Sequence, residues 1–215
     1  MINLYVYGAG GLGKEVTSLV RRLNRIKPRW AIQGFLDDNI ETGTTISGLP
    51  VLGALHYLTP MNEPSAVVLA ISDPKAKRRG YDYLSALGNI TFPTLVDPLA
   101  YVEESAVLGE GCILMQMCSV SVDSRLGLGC FVNYGTQIAH DCIIGDFVSI
   151  MPSVNLSGNI TIADEAFIGV QASIRYGLSI GKSSIVGMCS MVLCDVPDHT
   201  AVIGQPAVII NQNDQ

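Results

Sequence analysis

An aliphatic residue stands at every sixth position from Val102 to Val192: Val102, Leu108, Leu114, Val120, Leu126, Val132, Ile138, Ile144, Ile150, Leu156, Ile162, Ile168, Ile174, Ile180, Val186 and Val192. Neither a helix (period 3.6) nor an open strand (period 2) produces this spacing. A period of six is the mark of a parallel β-helix, in which each hexad is one short strand and a corner. Three hexads make one coil, and a period of 18 is also visible: Gly109, Gly127, Gly145, Ala163 and Gly181 recur once per coil. A small residue there predicts a corner with positive φ or tight packing. Residues 102–197 make a little over five coils, and no inserted loop breaks the register.

Residues 1–98 lack the repeat, so we expect two domains, 1–98 and 99–215. Apolar residues are 48% of the chain and charged residues only 15%. A solenoid that buries both its interior and a face between subunits accounts for that excess. The net charge of −6, with no long basic block, argues against nucleic acid or an anionic membrane as partner. No apolar run approaches the ~18–20 residues of a membrane span, so no membrane insertion is expected. No secretory signal is visible at the N-terminus, and a cytoplasmic enzyme is expected.

Cys112, Cys118, Cys130 and Cys142 each fall four residues after the aliphatic position of their hexad, where other hexads have Ala106, Thr136, Ala166, Ala172, Ser184 or Ser190. This second inward slot wants a small side chain. The four are read as structural thiols in a reducing compartment.

In the N-terminal half, the strand-like Leu4–Tyr7 leads into Gly8-Ala9-Gly10-Gly11-Leu12-Gly13 and a helical stretch near Lys14–Leu23. Gly8, Gly10 and Gly13 fit G-x-G-x-x-G between a strand and a helix, a turn that brings backbone N–H groups to an anion. A second strand, Ile32–Leu36, ends in Asp37-Asp38, placed to bind a ribose hydroxyl. With room for three or four strands, the unit is too small for a full dinucleotide fold. A mononucleotide, including a nucleotide sugar, fits half a Rossmann unit, and a glycine turn without ligand is the plainer alternative. Thr91–Pro98, with two prolines, reads as a short fixed connector.

Only three histidines occur: His56, His140 and His199. His140 stands at an outward position of the repeat, followed by Asp141. An imidazole there suits deprotonation of an attacking amine or hydroxyl, and a carboxylate beside it orients the ring. A solvated corner histidine is the alternative. A zinc hydratase would need three imidazoles together; only His140 lies within the regular repeat, and no metal is expected.

The run from Asn133 through His140-Asp141 to Phe147 resembles the active-site segment of bacterial hexapeptide-repeat sugar acetyltransferases. That family includes the UDP-4-amino-sugar N-acetyltransferases of bacillosamine synthesis and the sialic acid O-acetyltransferases. The resemblance extends to Gly8–Gly13, Phe35–Asp38, Phe92–Pro98, Leu156–Asn159 and Gly204–Ala207, nearly the whole chain in order. It implies an α/β half-Rossmann domain followed by a left-handed parallel β-helix, a homotrimer with acetyl-CoA bound between subunits, and a nucleotide-sugar substrate. His140 matches the general base and Asp141 its acidic partner, with direct attack on the thioester. Asn133 matches a polar residue near the reacting sugar. Gly10, Gly11 and Leu12 match the turn that holds the nucleotide sugar, and Asp37 and Asp38 its nucleoside-binding acids. Val170 and Met188 match positions along the pantetheine arm. Three departures stand out. Leu12 replaces a histidine, Ser149 replaces one near the thioester, and Val208 replaces a basic residue near the CoA phosphates. The expected activity is N-acetylation of a nucleotide-linked amino sugar. Sugar O-acetylation or a non-catalytic nucleotide-sugar-binding oligomer are the alternatives.

Overall fold

The structure, a computed structural model, describes residues 1–210 and divides into two compact units, the first Met1–Leu95 and the second beginning at Val96.

The first unit is a six-stranded sheet with two helices, more strands than the three or four expected, because the two-residue strands are too short to show as periodic runs. Its strands are β1 (Ile2–Tyr7), β2 (Trp30–Leu36), β3 (Thr45–Ile46), β4 (Leu49–Gly53), β5 (Ser65–Leu69) and β6 (Ile90–Thr91), in the order β3-β4-β2-β1-β5-β6. All pairings are parallel except β3 with β4. Helix α1 (Gly11–Ile26) buries Gly13, Val16, Thr17 and Val20, the i, i+3, i+4, i+7 stripe of a helix lying on a sheet. Helix α2 (Pro74–Ser85), which the sequence analysis did not anticipate, has a well-formed start. Asp73 caps it by accepting from the Ala76 N–H at 2.6 Å, and Pro74 fills the first turn, where its missing donor costs nothing. The chain order doubles back at β1, between β2 and β5. The C-terminal ends of these three strands therefore border one crevice, the usual ligand position in an open α/β sheet.

The second unit is the expected β-helix. Two-residue strands recur every six residues from Tyr101–Val102 to Met191–Val192, and those up to Ser173–Ile174 pair in parallel with the strand 18 residues on. They form three flat faces. The face containing Phe131–Val132 we call the first, that of Gln137–Ile138 the second, and that of Ile143–Ile144 the third. The hexad aliphatics from Leu114 to Val192 and the second inward slot together make the core.

The slot does more than fit small side chains. Ser124, Thr136, Cys112, Cys130 and Cys142 each donate to the carbonyl 15 residues on, at 2.8, 2.8, 3.2, 3.0 and 3.3 Å. Cysteine, serine and threonine share the slot because each is a small group that also satisfies a corner carbonyl.

The corners decide between the two readings of the recurring small residue. From Met117 to Cys189 every sixth residue has a positive φ, between 52° and 74°, and this column includes Asp141 at 59°. The left-handed residue is thus the third of each corner. Gly109, Gly127, Gly145 and Gly181 are not in that conformation. They are small because a β-carbon at Gly145 would sit 2.7 Å from Asp164 N, and one at Gly127 2.8 Å from the Gly145 carbonyl carbon. Of the two alternatives, tight packing is the reason.

After the last hexad the chain adds a hairpin that the repeat did not announce, Ala201–Gly204 with Ala207–Ile210, which extends the first face.

Candidate active site

The crevice of the first unit is a cleft of about 440 Å³ lined by Tyr7, Gly8, Gly10, Gly11, Leu12, Asp37, Asp38, Asn39, Ala70, Ile71, Ser72, Ala76 and Arg79. It gathers all five residues expected there: Gly10, Gly11, Leu12, Asp37 and Asp38. The glycines divide into two pairs. Gly8 has φ +104°, and a β-carbon on it would strike the Ala70 carbonyl; one on Gly13 would strike the Gly8 carbonyl. Those two are required by the fold. A β-carbon on Gly10 or Gly11 would meet nothing within 4 Å. The protein leaves that space open, at the start of a helix that no side chain caps. Such a terminus presents backbone N–H donors and the positive end of the helix dipole.

The two acids have different tasks. Asp37 accepts from the N–H groups of Ala9 and Asn39 at 2.8 and 2.9 Å, pinning the glycine turn to the end of β2. Asp38 is exposed and accepts from the Tyr7 hydroxyl at 2.9 Å. Burial, then that carboxylate, pushes the Tyr7 phenol well above the ordinary tyrosine range, while Arg79 pulls the other way. Asp38 is therefore the acid better placed for a ligand. Arg79 escaped the sequence reading, although the Lys77-Arg78-Arg79 run one turn into α2 was there to see. Beyond Asp37, Asp38 and Asn39 a second hollow of about 870 Å³ opens toward Leu52, His56, Tyr57 and Met61.

In the second unit His140 lies at the edge where the second face turns into the third. Its Nδ1 is 2.7 Å from Asp141 Oδ2. The left-handed backbone of Asp141 belongs to the corner, so the repeat itself sets this carboxylate beside the ring. The pair is half exposed, 50% and 58%. The ring overlies Gly158 on the next coil: a β-carbon there would be 2.6 Å from both Cε1 and Nε2. Behind it, Cys142 is buried, and burial raises its thiol pKa. The thiol is a core group and not a nucleophile.

Asn133, Val170 and Met188 stand on a different edge, where the first face turns into the second. Val170 and Met188 are on adjacent coils, joined by the Cys189 N–H to Val170 O bond of 2.8 Å, and Met188 is exposed. Asn133 is 7% exposed, and its amide oxygen accepts from Tyr134 N–H at 2.8 Å, so the NH₂ is the group it has to offer. Between the two edges runs a polar groove of about 400 Å³ that includes Ser119, Gln137, Asn155 and Ser157. Ser149 is fully buried in the first face. Val208 is exposed on the C-terminal hairpin with Ile203 and Ile209, and Gln205 Nε2 ties the hairpin tip to Cys189 O at 2.6 Å. Among the described residues no group of three or more His, Cys, Asp or Glu side chains is arranged to hold a metal ion, and no helix is long and apolar enough to cross a membrane.

Comparison with known proteins agrees with this architecture. Residues 3–84 match the family described as the PglD N-terminal domain. The GDP-perosamine N-acetyltransferase of Escherichia coli O157:H7 is 30% identical over 216 residues, 96% of each chain. The acetyltransferase domain of PglB from Neisseria gonorrhoeae FA1090, solved in complex with acetyl coenzyme A, is 31% identical with a TM-score of 0.86 over 97% of this chain and 98% of its own. PerB from Caulobacter crescentus, solved with CoA and GDP-perosamine, is 28% identical with a TM-score of 0.87 over 97% of both. The expected fold, an α/β half-Rossmann unit followed by a left-handed parallel β-helix, stands. An acyltransferase by this kinship, the chain belongs to the bacterial hexapeptide-repeat sugar acetyltransferase family.

Proposed function

We propose that this protein transfers the acetyl group of acetyl-CoA to the amine of a nucleotide-linked amino sugar, of the 4-amino-6-deoxy type. The observation that carries the reading is the His140–Asp141 pair. With Nδ1–H donated to Asp141, the neutral imidazole keeps the Nε2 lone pair as its proton acceptor. As the sugar amine attacks the thioester carbonyl, a C–N bond forms and Nε2 takes the amine proton. Collapse of the tetrahedral intermediate breaks the C–S bond, and the imidazolium returns the proton to the departing thiolate. No acyl-enzyme is needed.

The nucleotide end goes to the glycine turn, with phosphate at the open space beside Gly10 and Gly11, Arg79 as a counter-charge and Asp38 toward the ribose. Asn133, Val170 and Met188 serve the acceptor and the pantetheine arm. They stand on another edge than His140, which favours a homotrimer in which one copy's His140 edge meets its neighbour's Asn133 edge. Exposed Leu99, Tyr101, Met117, Met188 and Met191, around the second face, supply apolar surface for such packing. A cytoplasmic location suits the free cysteines.

The test is thiol release from acetyl-CoA by the wild type and His140→Ala over a panel of nucleotide 4-amino-6-deoxy sugars. Turnover with one sugar, lowered about 10²-fold or more in the variant, supports the assignment. Undiminished turnover in the variant removes His140 as the base. Turnover confined to hydroxyl acceptors moves the activity to O-acetylation.

A further inference from the structure

The base has a neighbour that its own corner does not supply. Residues 122, 140, 158 and 176 occupy the same corner position on four successive coils. The stacking is carried by Asp141 N–H to Val122 O at 3.1 Å, Asn159 N–H to His140 O at 2.9 Å and Gly177 N–H to Gly158 O at 3.1 Å. Successive coils are spaced as neighbouring strands, ~4.8 Å apart, so the backbones of His140 and Tyr176 start roughly 10 Å apart. Their ring centroids are nevertheless only 6.3 Å apart, with planes tilted by 50°. The two rings lean toward one another over the coil between them. They meet because that coil carries glycine, whose missing β-carbon is the space the imidazole fills.

Burial does not explain an aromatic at this position, since Tyr176 is 58% exposed. Its location relative to the base does. Asp141 holds the Nδ1 side of the imidazole. The atoms of the ring closest to Gly158 are Cε1 and Nε2, on the side of the coil that carries Tyr176. Without a group there, a half-exposed imidazole tethered at one nitrogen is free to swing away from the coil below it.

We propose that Tyr176 is a positioning residue for acetyl transfer: its ring closes the open side of the His140 imidazole and holds the Nε2 edge over Gly158. The inference rests on His140 being the base. The ring is what acts, through a tilted aromatic contact, and the hydroxyl is dispensable. A contact of this kind biases a two-position equilibrium by about 2- to 10-fold.

The experiment uses the full chain with Tyr176→Ala, Tyr176→Leu and Tyr176→Phe, read in two ways. The first is steady-state kinetics. Ala and Leu are expected to lower kcat by about 2- to 10-fold and leave KM for acetyl-CoA unchanged, while Phe stays near wild type. The second is the proton NMR signal of the His140 Cε1–H. It is readily assigned in a chain of three histidines by its disappearance in His140→Asn. A ring-current shift on that signal should be present in the wild type and in Phe, and absent in Ala and Leu. An unmoved signal in Ala overturns the proposal whatever the activity does. So does an unchanged kcat in Ala and Leu, or a Phe variant as poor as Ala. If the wild type turns over no acceptor, it is the proposed activity that fails, and the resonance still decides whether Tyr176 holds the ring.

Discussion

The imidazole of His140 occupies the space that a β-carbon on Gly158 would need, with Cε1 and Nε2 each 2.6 Å from that position. The side chain proposed as the base is here seated on the absence of another. Gly158→Ala adds one methyl group and no backbone strain that the structure reveals. The imidazole is the mobile party and must rotate off its seat. We expect a loss in kcat of about 10-fold or more, with stability changed by no more than about 1 kcal/mol. Steady-state kinetics beside a thermal melt check this. A normal kcat in a normally folded variant shows that the seat does not aim the base.

Asp141 does two things, and they are separable. Its carboxylate holds Nδ1, and its backbone takes the left-handed turn at φ 59°. Asparagine tolerates that conformation at least as well as aspartate, and glycine better. Asp141→Asn should therefore fold like the wild type and lose about 10-fold or more in kcat/KM. Asp141→Ala should lose activity and also about 1 kcal/mol of stability, because alanine lacks the short polar side chain that eases the left-handed region by local hydrogen bonding. Equal activity of Asn and wild type would reduce Asp141 to a corner residue.

The four glycines around the start of α1 should behave as two pairs. Gly8→Ala and Gly13→Ala collide with backbone oxygens and are expected to cost more than about 2 kcal/mol. Gly10→Ala and Gly11→Ala meet open space and should leave stability within about 0.5 kcal/mol. Their effect is expected on the nucleotide sugar, as a rise in KM of about 10-fold with KM for acetyl-CoA unchanged. Arg79→Ala should raise the same KM, and the difference from wild type should shrink as salt is added. Unaltered KM in both glycine variants would leave that gap without a ligand.

The cysteines make a prediction about pH. Burial pushes the Cys118 thiol up to about 12, from an ordinary value of 9.0, and raises Cys142 as well. A group whose folded pKa is raised leaves stability intact below its unfolded pKa. Between about 9 and 12 the unfolded chain sheds a proton that the folded chain keeps, so stability falls as pH rises through that window. The slope is at most about 1.4 kcal/mol per pH unit for one such group. Cys118→Ala, which adopts the side chain found in the same slot at Ala106, Ala166 and Ala172, should flatten the urea midpoint between pH 9 and 11. The check is the difference in slope from wild type, because Tyr5 and Tyr7 are also raised. At pH 8 in the native state, a thiol reagent should modify the exposed Cys189 and Cys194 and spare the buried four.

The hexad aliphatics made the β-helix readable because a period of six leaves one answer. The glycine turn and Asp37-Asp38 could be placed in one crevice because each follows a strand of an α/β unit. The features that escaped are set by geometry that sequence spacing expresses only indirectly. The left-handed corner falls on residues as different as Met117, Asp141 and Gln171, so composition does not mark it. Helix α2 and the hairpin of β3 and β4 lack strong periodicity, and the C-terminal hairpin follows the end of the repeat. Tyr176 is 36 residues from His140, yet it was within reach. Twice 18 is 36, and reading the chain in columns of 18 puts His140, Gly158 and Tyr176 in one line.

That columnar arithmetic constrains how such a chain can change length. Eighteen residues inserted between Gly145 and Leu156 would lift Val170 and Met188 by one storey and return them to the same edge. Six would instead turn everything that follows by a third of a revolution. Val170 and Met188 would arrive on the edge that His140 now holds, with every strand still paired. On the roles proposed for these two edges, a chain of this build keeps its fold after the second insertion and loses its catalysis, so the proposed site is guarded by counting rather than by stability.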